Sequence, residues 1–485
     1  MSVRATDRIL VNGKLITIGA AIADQFSDGD RIVASTDGQL MLIPKTEIDI
    51  VGQVVELSRR AFSLLQSASD DQISTFFRLF ADRLADDVLM AEVLVVNEND
   101  VEQAKQRGRS TTRLGLTPSM RKDMIDALGL WQDMVAVQDH VAHIEHSGWS
   151  VEARQCALGL VGFVFEGRPN VLADATGVIR SRNTCVFRIG SDAYNTAEAL
   201  MRVAVHPSLI EAGLPEHCVM LLPSITHASA WALFSNDGIA LAVARGSGAS
   251  VALLGNIAQQ HGIPVSLHGT GGAWAVVSQY DDLAGLEDII LHSLDRKVCN
   301  TLNTIVILEK AACEIISTLF KGIGKSGLRN GVRPIVHISS NVEQQLVHLG
   351  IDLADVSSGV VVEITDELDL SKEWEWETTP EVTLVIAKNI ASAVELFNMH
   401  SPQFVLSVLS VHQDEHEHAW STSNAPFFGN GMTRWVDGQY ALNKPELGLS
   451  NWQLGRSLGR GGILSGDSVY TIRYRMTQID TTVKR

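Results

Sequence analysis

Between residues 158 and 295, apolar runs alternate with amphipathic stretches, and this alternation limits the fold more than any other feature of the chain. Strands that are apolar along their whole length belong to parallel sheets covered by helices on both faces. The pattern therefore predicts an α/β domain whose ligand site lies at the carboxyl ends of the strands. The runs read as strands are LGLVGFVFEG, TCVFRIG, CVMLLP, IALAVARG and PVSLHG.

The rest of the chain divides into segments of different periodicity. Residues 1–47 form a β-rich extension with two hairpin signals, Asn12-Gly13 and Asp37-Gly38. Residues 48–134 have helical spacing, and residues 136–157 read as two strands around Ser147-Gly148. We place a first α/β domain at 48–295, a second at 296–467, and a tail strand at 468–485 that pairs with the 136–157 hairpin.

Composition narrows the class of protein. A chain of 485 residues is expected to hold more than one domain. Its net charge is −17 and we see no basic stripe, which argues against nucleic acid as a partner. A small anionic substrate remains compatible with this charge. Five cysteines without a Cys-x-x-Cys pair indicate reduced thiols. Without a signal-peptide pattern or an apolar run of about 20 residues, we expect a cytoplasmic protein that does not enter membranes.

Two motifs are candidates for chemistry. Cys299 follows Arg296 and Lys297 between a predicted helix and strand, and a helix N-terminus is expected after it; both features favour a thiolate. A single cysteine is also commonly a small buried hydrophobe, so both interpretations stay open. The glycine-rich turn ARGSGAS, from Arg245 to Ser250, either faces a phosphate with its N–H groups or simply makes a tight turn.

Two groups of histidines have spacings that are conceivable for metal binding. The solvated-surface interpretation is favoured for both groups, and we predict no metal site. The histidines are His140, His143 and His146 in the first group and His412, His416 and His418 in the second.

Several motifs occur in a fixed order, and together they make the chain from about residue 48 to 480 resemble the gamma-glutamyl phosphate reductases, also called glutamate-5-semialdehyde dehydrogenases, of the aldehyde dehydrogenase superfamily. The resemblance implies a Rossmann-type nicotinamide cofactor domain at 48–295, a catalytic domain at 296–467, and a homodimer or homotetramer formed through the hairpin and the tail. The motifs are FEGRPNVLADATG, TCVFRIGSDAYNT, LAVARGSGAS, PVSLHGTGG, KVCNTLNTIVI and WETTPEVTLVIA.

The resemblance also implies roles for individual residues. Cys299 is the nucleophile that forms a thioester, and Asn170 supplies an amide to the oxyanion hole. His268 stands where oxidative aldehyde dehydrogenases have a glutamate that activates water, which favours the reductive direction. The cofactor is expected to be NADPH, with NADH as the other possibility. The implied cofactor-binding residues are Arg188 and Ser191 at the adenosine end, Arg245, Gly246, Ser247 and Gly248 beside the phosphates, His268, and Glu377 at the nicotinamide ribose.

The implied reaction is the NADPH-dependent reduction of gamma-glutamyl phosphate, or a related amino-acid acyl phosphate, to the semialdehyde, as in proline biosynthesis. Two departures put the exact substrate in doubt. Asn303 stands where the family usually has glutamate, and SPQFVLSVLS lacks the usual histidine and acid. A reductase of acyl-coenzyme A or carrier-protein thioesters, a non-catalytic paralogue and, more weakly, an oxidative aldehyde dehydrogenase remain alternatives.

Overall fold

The chain folds into two compact units. The first contains Met1–Gly269, Asn443–Leu449 and Ile463–Arg485, and the second contains Thr270–Leu442 and Ser450–Gly462. Each has its own apolar core. The computed structural model describes residues 3–35, 38–109, 111, 113–134, 141–269, 271–436, 438–448, 452–453, 456–457 and 463–484.

The N-terminal extension consists of two hairpins around a short helix. Asn12 and Gly13 both have positive φ, as the tight turn between the first two strands requires. Both predicted hairpins are confirmed as antiparallel pairs, although Thr36 and Asp37 of the second turn lie outside the described residues. The elements are β1 (Arg8–Val11), β2 (Lys14–Thr17), α1 (Ala20–Gln25), β3 (Arg31–Ala34) and β4 (Leu40–Ile43).

Four long helices follow, as the helical spacing predicts. Ser69 accepts a hydrogen bond from the Gln72 N–H in a reciprocal capping box, and Asp86 caps the next helix. Thr117 does the same at a helix whose first residue is Pro118. The helices are α2 (Lys45–Leu65), α3 (Asp70–Ala85), α4 (Asp87–Gln106) and α5 (Pro118–Asp133).

The centre of the first unit is a five-stranded parallel sheet with helices, which confirms the α/β interpretation. A hairpin of two strands precedes it, and the sheet has the strand order β11-β10-β7-β8-β9. The three neighbouring strands β11, β10 and β7 therefore end side by side at one edge. The elements are β5 (Ala142–His146), β6 (Trp149–Ala157), β7 (Leu160–Phe165), α6 (Val171–Ala175), β8 (Thr184–Ile189), α7 (Tyr194–Leu200), α8 (His206–Glu211), β9 (Val219–Leu221), α9 (His227–Phe234), β10 (Ile239–Arg245), α10 (Gly248–Gln260) and β11 (Val265–His268).

The second unit is built on a seven-stranded parallel sheet with the order β15-β14-β16-β13-β12-β17-β18. Its central strand β13 is buried over its whole length. The elements are β12 (Ala273–Val277), α11 (Leu283–Ser293), β13 (Leu302–Leu308), α12 (Ala312–Leu328), β14 (Ile335–Ser339), α13 (Ser340–His348), α14 (Leu353–Val356), β15 (Val361–Thr365), β16 (Glu381–Ala387), α15 (Ile390–His400), β17 (Val405–Leu409), α16 (Gln413–Thr422), β18 (Phe427–Gly429) and α17 (Gly438–Leu442).

The second unit begins earlier in the chain than our sequence-based boundary at residue 296. By packing, the division lies between residues 269 and 270. The reason is β12, which pairs in parallel with β13 and brings α11 with it. The sequence pattern did not reveal β12 as a strand of the second sheet.

The C-terminal part of the chain contributes short strands to both units. In the first unit, β19 (Glu446–Gly448) pairs with β22 (Leu464–Ser465), and in the second, β20 (Trp452–Gln453) pairs with β21 (Arg456–Ser457). The predicted tail strand is β23 (Tyr470–Gln478), which pairs antiparallel with β6 as expected. Among the described residues, no helix combines the length and the apolar character that crossing a membrane requires.

Candidate active site

Cys299 lies on a turn of the second unit, after α11 and just before β13, and it is partly buried. The side chain of Thr301 closes this turn: it accepts from the Val298 N–H (2.9 Å) and donates to the Arg296 carbonyl (2.6 Å). The expectation of a helix N-terminus after Cys299 is wrong, because the chain passes directly into β13. Any activation of the thiol must come from neighbouring side chains and backbone groups.

The loop that contains Gly271 and Gly272 packs against the turn that carries Cys299. The Gly272 N–H donates to the Cys299 carbonyl at 2.7 Å. A Cβ atom added to Gly271 would lie 2.6 Å from the Cys299 Cα atom and 2.9 Å from its Cβ atom. These approaches are below ordinary van der Waals contact, so only glycine fits at position 271 while Cys299 stays in place.

A carboxylate that the sequence analysis did not single out joins this loop to the nucleophile segment. Glu373 accepts from the Gly271 N–H at 2.7 Å and from the Lys297 ammonium group at 2.6 Å. The two side chains of the ion pair are only 6% (Lys297) and 14% (Glu373) exposed. The Lys297 ammonium group, which we expected to act on Cys299, therefore forms an ion pair with a buried carboxylate.

Asn303, the residue that departs from the family pattern, holds the segment that carries Glu373. Its amide nitrogen donates to the Lys372 carbonyl (2.9 Å), and its amide oxygen accepts from the Trp374 N–H (2.8 Å). Trp374 is further fixed by stacking on His337, with ring centroids 3.5 Å apart. A carboxylate at position 303 could not donate to the Lys372 carbonyl, so this contact requires the neutral amide.

Arg434 holds the other side of the nucleophile turn. Its guanidinium group donates to the Asn300 side chain and pairs with Asp295 at 2.9 Å. The Asn300 amide in turn donates to the Val436 carbonyl. The residue directly after Cys299 is therefore fixed by a second set of polar contacts.

In the first unit, the glycine-rich turn joins β10 to α10 as predicted. The Ser247 N–H, at the start of α10, donates to the Glu166 carboxylate at 2.6 Å. A Cβ atom on Gly246 would lie 2.5 Å from that same carboxylate oxygen, and one on Gly269 would lie 2.9 Å from the Gly248 Cα atom. The turn presents the Ser247 N–H to an anionic oxygen, and this fits the binding of a cofactor phosphate.

His268 and Arg245 end the neighbouring strands β11 and β10 and lie side by side in register. Arg245 donates to the Glu446 carbonyl at 2.8 Å, and its guanidinium group lies over the Phe165 ring. Burial, together with the charges of Arg245, Arg168 and Arg113, lowers the pKa of His268 to about 3. His268 is therefore neutral at physiological pH.

Of the two residues predicted at the adenosine end, Arg188 lies in β8 and Ser191 follows this strand, and their surroundings differ. Arg188 is buried, and its guanidinium group donates to the carbonyls of Ile225 (2.7 Å) and Thr226 (3.0 Å); burial lowers its pKa. Ser191 is partly exposed in the loop after the strand, beside Asp192. Arg188 thus fixes a neighbouring loop, while Ser191 remains accessible to a ligand.

The remaining two predicted residues lie in different units. The Asn170 amide donates to the Asp174 carboxylate at 3.3 Å, which uses one of its two N–H hydrogens. Glu377 is exposed in the loop before β16. The structure therefore groups Arg245, Gly246, Ser247, Gly248 and His268 at one edge of the first sheet, and the role predicted for Glu377 at the nicotinamide ribose stays a prediction.

Sequence reasoning missed Glu166, which lies in a motif that it used, and Glu373, which lies just before another. Glu166 belongs to FEGRPN, and Glu373 precedes WEWETTP. Their partners, Ser247 and Lys297, are 81 and 76 residues away in the chain. An acidic residue next to a motif is a weak signal on its own, because most such residues are solvated.

The structure is similar to that of gamma-glutamyl phosphate reductase from Thermotoga maritima, with a TM-score of 0.76 over 90% of this chain and 100% of that one, at 21% identity. It is also similar to a probable aldehyde dehydrogenase from Listeria monocytogenes, with a TM-score of 0.65 over 89% and 97% of the two chains, at 16% identity. The chain therefore has the aldehyde dehydrogenase fold, as predicted.

Within that fold, the relatives by sequence are more specific. Gamma-glutamyl phosphate reductase of Bacillus anthracis is 25% identical over 385 residues, which are 76% of this chain and 86% of the relative. The same enzyme of Bacillus cereus is 26% identical over 382 residues, 75% and 84% of the two chains. No family model matches the chain. The resemblance to gamma-glutamyl phosphate reductases found in the motifs is thus confirmed along three quarters of the sequence.

Proposed function

We propose that this protein is a cytoplasmic reductase that converts gamma-glutamyl phosphate, or a closely related amino-acid acyl phosphate, to the semialdehyde with NADPH, as in proline biosynthesis. The observation that carries the proposal is the place of Cys299. It lies on a turn held by Thr301 and packed against Gly271, in a chain whose matched relatives are named gamma-glutamyl phosphate reductase. A thiol held this rigidly suits nucleophilic attack on an activated acyl group.

The first half of the reaction belongs to Cys299. Its thiolate attacks the acyl carbon, a carbon–sulfur bond forms, and the carbon–oxygen bond to phosphate breaks, so that inorganic phosphate leaves. We assign stabilisation of the oxyanion to the Asn170 amide and the Cys299 N–H. Asn170 retains a second amide hydrogen for this purpose while the first donates to Asp174.

The second half reduces the thioester. A bound nicotinamide cofactor supplies a hydride ion to the carbonyl carbon. The N–H groups of Ser247 and Gly248 would hold its phosphates, and Gly246, whose own N–H donates to the His268 carbonyl, would let them approach the backbone closely. Ser191 is accessible for its adenosine end. When the carbon–sulfur bond breaks, the Cys299 thiolate is regenerated and the aldehyde leaves. His268 is a weak base with its pKa of about 3, and this favours reduction of the thioester over its hydrolysis.

The test follows the reverse reaction with glutamate semialdehyde, inorganic phosphate and NADP⁺, because acyl phosphates are unstable. We expect phosphate-dependent NADPH formation by the wild type, and a loss of at least about 10³-fold in Cys299→Ala, as when a covalent nucleophile is removed. The matched control is Cys313→Ala, an exposed cysteine of the same unit, which keeps its activity. Turnover that requires coenzyme A instead of phosphate would move the protein to the thioester reductases. Equal activity of Cys299→Ala and wild type would exclude the thioester mechanism.

A further inference from the structure

The Glu373 carboxylate lies between two segments that flank the nucleophile. One oxygen accepts from the Gly271 N–H and the other from the Lys297 ammonium group, at 2.7 and 2.6 Å. Lys297 precedes Cys299 by two residues, and Gly271 is in direct contact with it. A single side chain therefore fixes the nucleophile turn from two directions.

The position of Glu373 is itself determined by the surrounding core. Asn303 binds the backbone on both sides of it, at Lys372 and Trp374. The Trp374 indole donates to Thr383 at 2.8 Å, inside the sheet. Because its backbone is fixed in this way, Glu373 can hold its partners in place rather than follow them.

We propose that Glu373 is a positioning residue for Cys299, acting through Lys297 and the Gly271–Gly272 loop. The inference rests on the proposed role of Cys299 as nucleophile. Glu373 fixes the distance between loop and turn, and its charge offsets that of Lys297. The other charged groups beside the turn are Arg296 and the Arg434–Asp295 pair, in which the arginine is already matched by its own carboxylate. Loss of Glu373 therefore removes a negative charge that lies 2.6 Å from the Lys297 ammonium group, two residues from the thiol.

Glu373→Gln tests both parts, because the amide oxygen still accepts from Gly271 while the charge is lost. We expect kcat of the reverse reaction to fall by about 10²-fold, as for a nucleophile displaced by about 1 Å. We expect alkylation of Cys299 by iodoacetamide, below neutral pH, to become faster, because the loss of a nearby negative charge raises the thiolate fraction. General loosening of the fold would also speed the labelling of the buried Cys185 and Cys218, so faster alkylation confined to Cys299 distinguishes the proposed effect from loosening.

Further variants keep the proposal testable if Glu373→Gln folds poorly. Lys297→Met is expected to lower kcat and to slow alkylation, and adding Glu373→Gln to it should cost little more, since the two residues act as a pair. Glu373→Asp keeps the charge and is expected to restore slow alkylation. Glu367→Gln, an exposed glutamate of the same unit, is the matched control. Wild-type kcat and wild-type Cys299 alkylation in Glu373→Gln would overturn the proposal, whereas activity without Cys299 would overturn the proposed function instead.

Discussion

The Glu166 carboxylate accepts a hydrogen bond from the Ser247 N–H at 2.6 Å, and so the end of β7 is tied to the first turn of α10. A helix N-terminus carries a partial positive charge that favours anions. In this structure the protein supplies that anion from its own chain. The Ser247 N–H is one of the groups that we assign to the cofactor phosphates, so Glu166 and the cofactor compete for it.

Glu166→Gln is therefore expected to strengthen cofactor binding. The amide removes one negative charge, and a charge near a helix N-terminus contributes about 0.3–1 kcal/mol, so the dissociation constant of NADPH should fall by about two- to fivefold. Titration of NADPH fluorescence with the substrate-free enzyme measures this constant. Glu98→Gln, an exposed glutamate of the same unit, serves as the control. Unchanged or weaker binding in Glu166→Gln would show that the carboxylate does not compete with the phosphates.

The pKa of His268 predicts how stability depends on pH. Burial holds this pKa at about 3, below the ordinary 6.5, so between these values the unfolded chain binds a proton that the folded chain does not. The free energy of unfolding then rises with pH across this window, by about 1.4 kcal/mol per pH unit, and the contribution is lost on acidification. His268→Asn should flatten this dependence in urea unfolding measured at several pH values. His261→Asn changes an exposed histidine and should leave the slope unchanged. Parallel curves for wild type and His268→Asn would contradict the burial of the imidazole.

Much of the fold follows from local signals in the sequence. Asn12-Gly13 and Ser147-Gly148 mark turns because the structure needs positive φ there, and the apolar runs mark strands because both faces of the parallel sheets are covered. The boundary between the units could not be found in this way, because it depends on which sheet β12 joins. The ion pair of Lys297 with Glu373 could not be predicted from the sequence either, because the two residues are brought together only by the tertiary fold. Cys299 could be proposed as the nucleophile because its neighbours in sequence form a motif.

Gly271→Ala tests the contact between the glycine loop and the nucleophile. The new methyl group would lie 2.6 Å from the Cys299 Cα atom and 2.7 Å from its carbonyl oxygen, so the loop or the turn must move. We expect kcat of the reverse reaction to fall by about 10²-fold while the protein remains folded. Gly429→Ala in β18, where an added Cβ meets nothing within 4 Å, is the control. Full activity of Gly271→Ala would show that the loop yields without moving Cys299.

The last prediction concerns the association of copies that the sequence resemblance implies. Met476, Val151 and Ile144 are directly paired across β23, β6 and β5, so their side chains share one face of this three-stranded sheet. Met476 and Ile144 are 66% and 51% exposed. We expect this apolar row to be covered by a second copy of the chain, because two of its three members are large apolar side chains open to solvent.

Met476→Glu places a charge in that row and should shift the protein toward monomers in size-exclusion chromatography with light scattering, since an unpaired carboxylate is costly to bury. Thr477→Glu introduces the same charge one residue later, on the opposite face of the strand, and is the matched control. An oligomer that survives Met476→Glu unchanged would show that this face of the sheet is not the interface. Dissociation by both variants would indicate that the charge disturbs the pairing of β23 with β6 rather than a contact between copies.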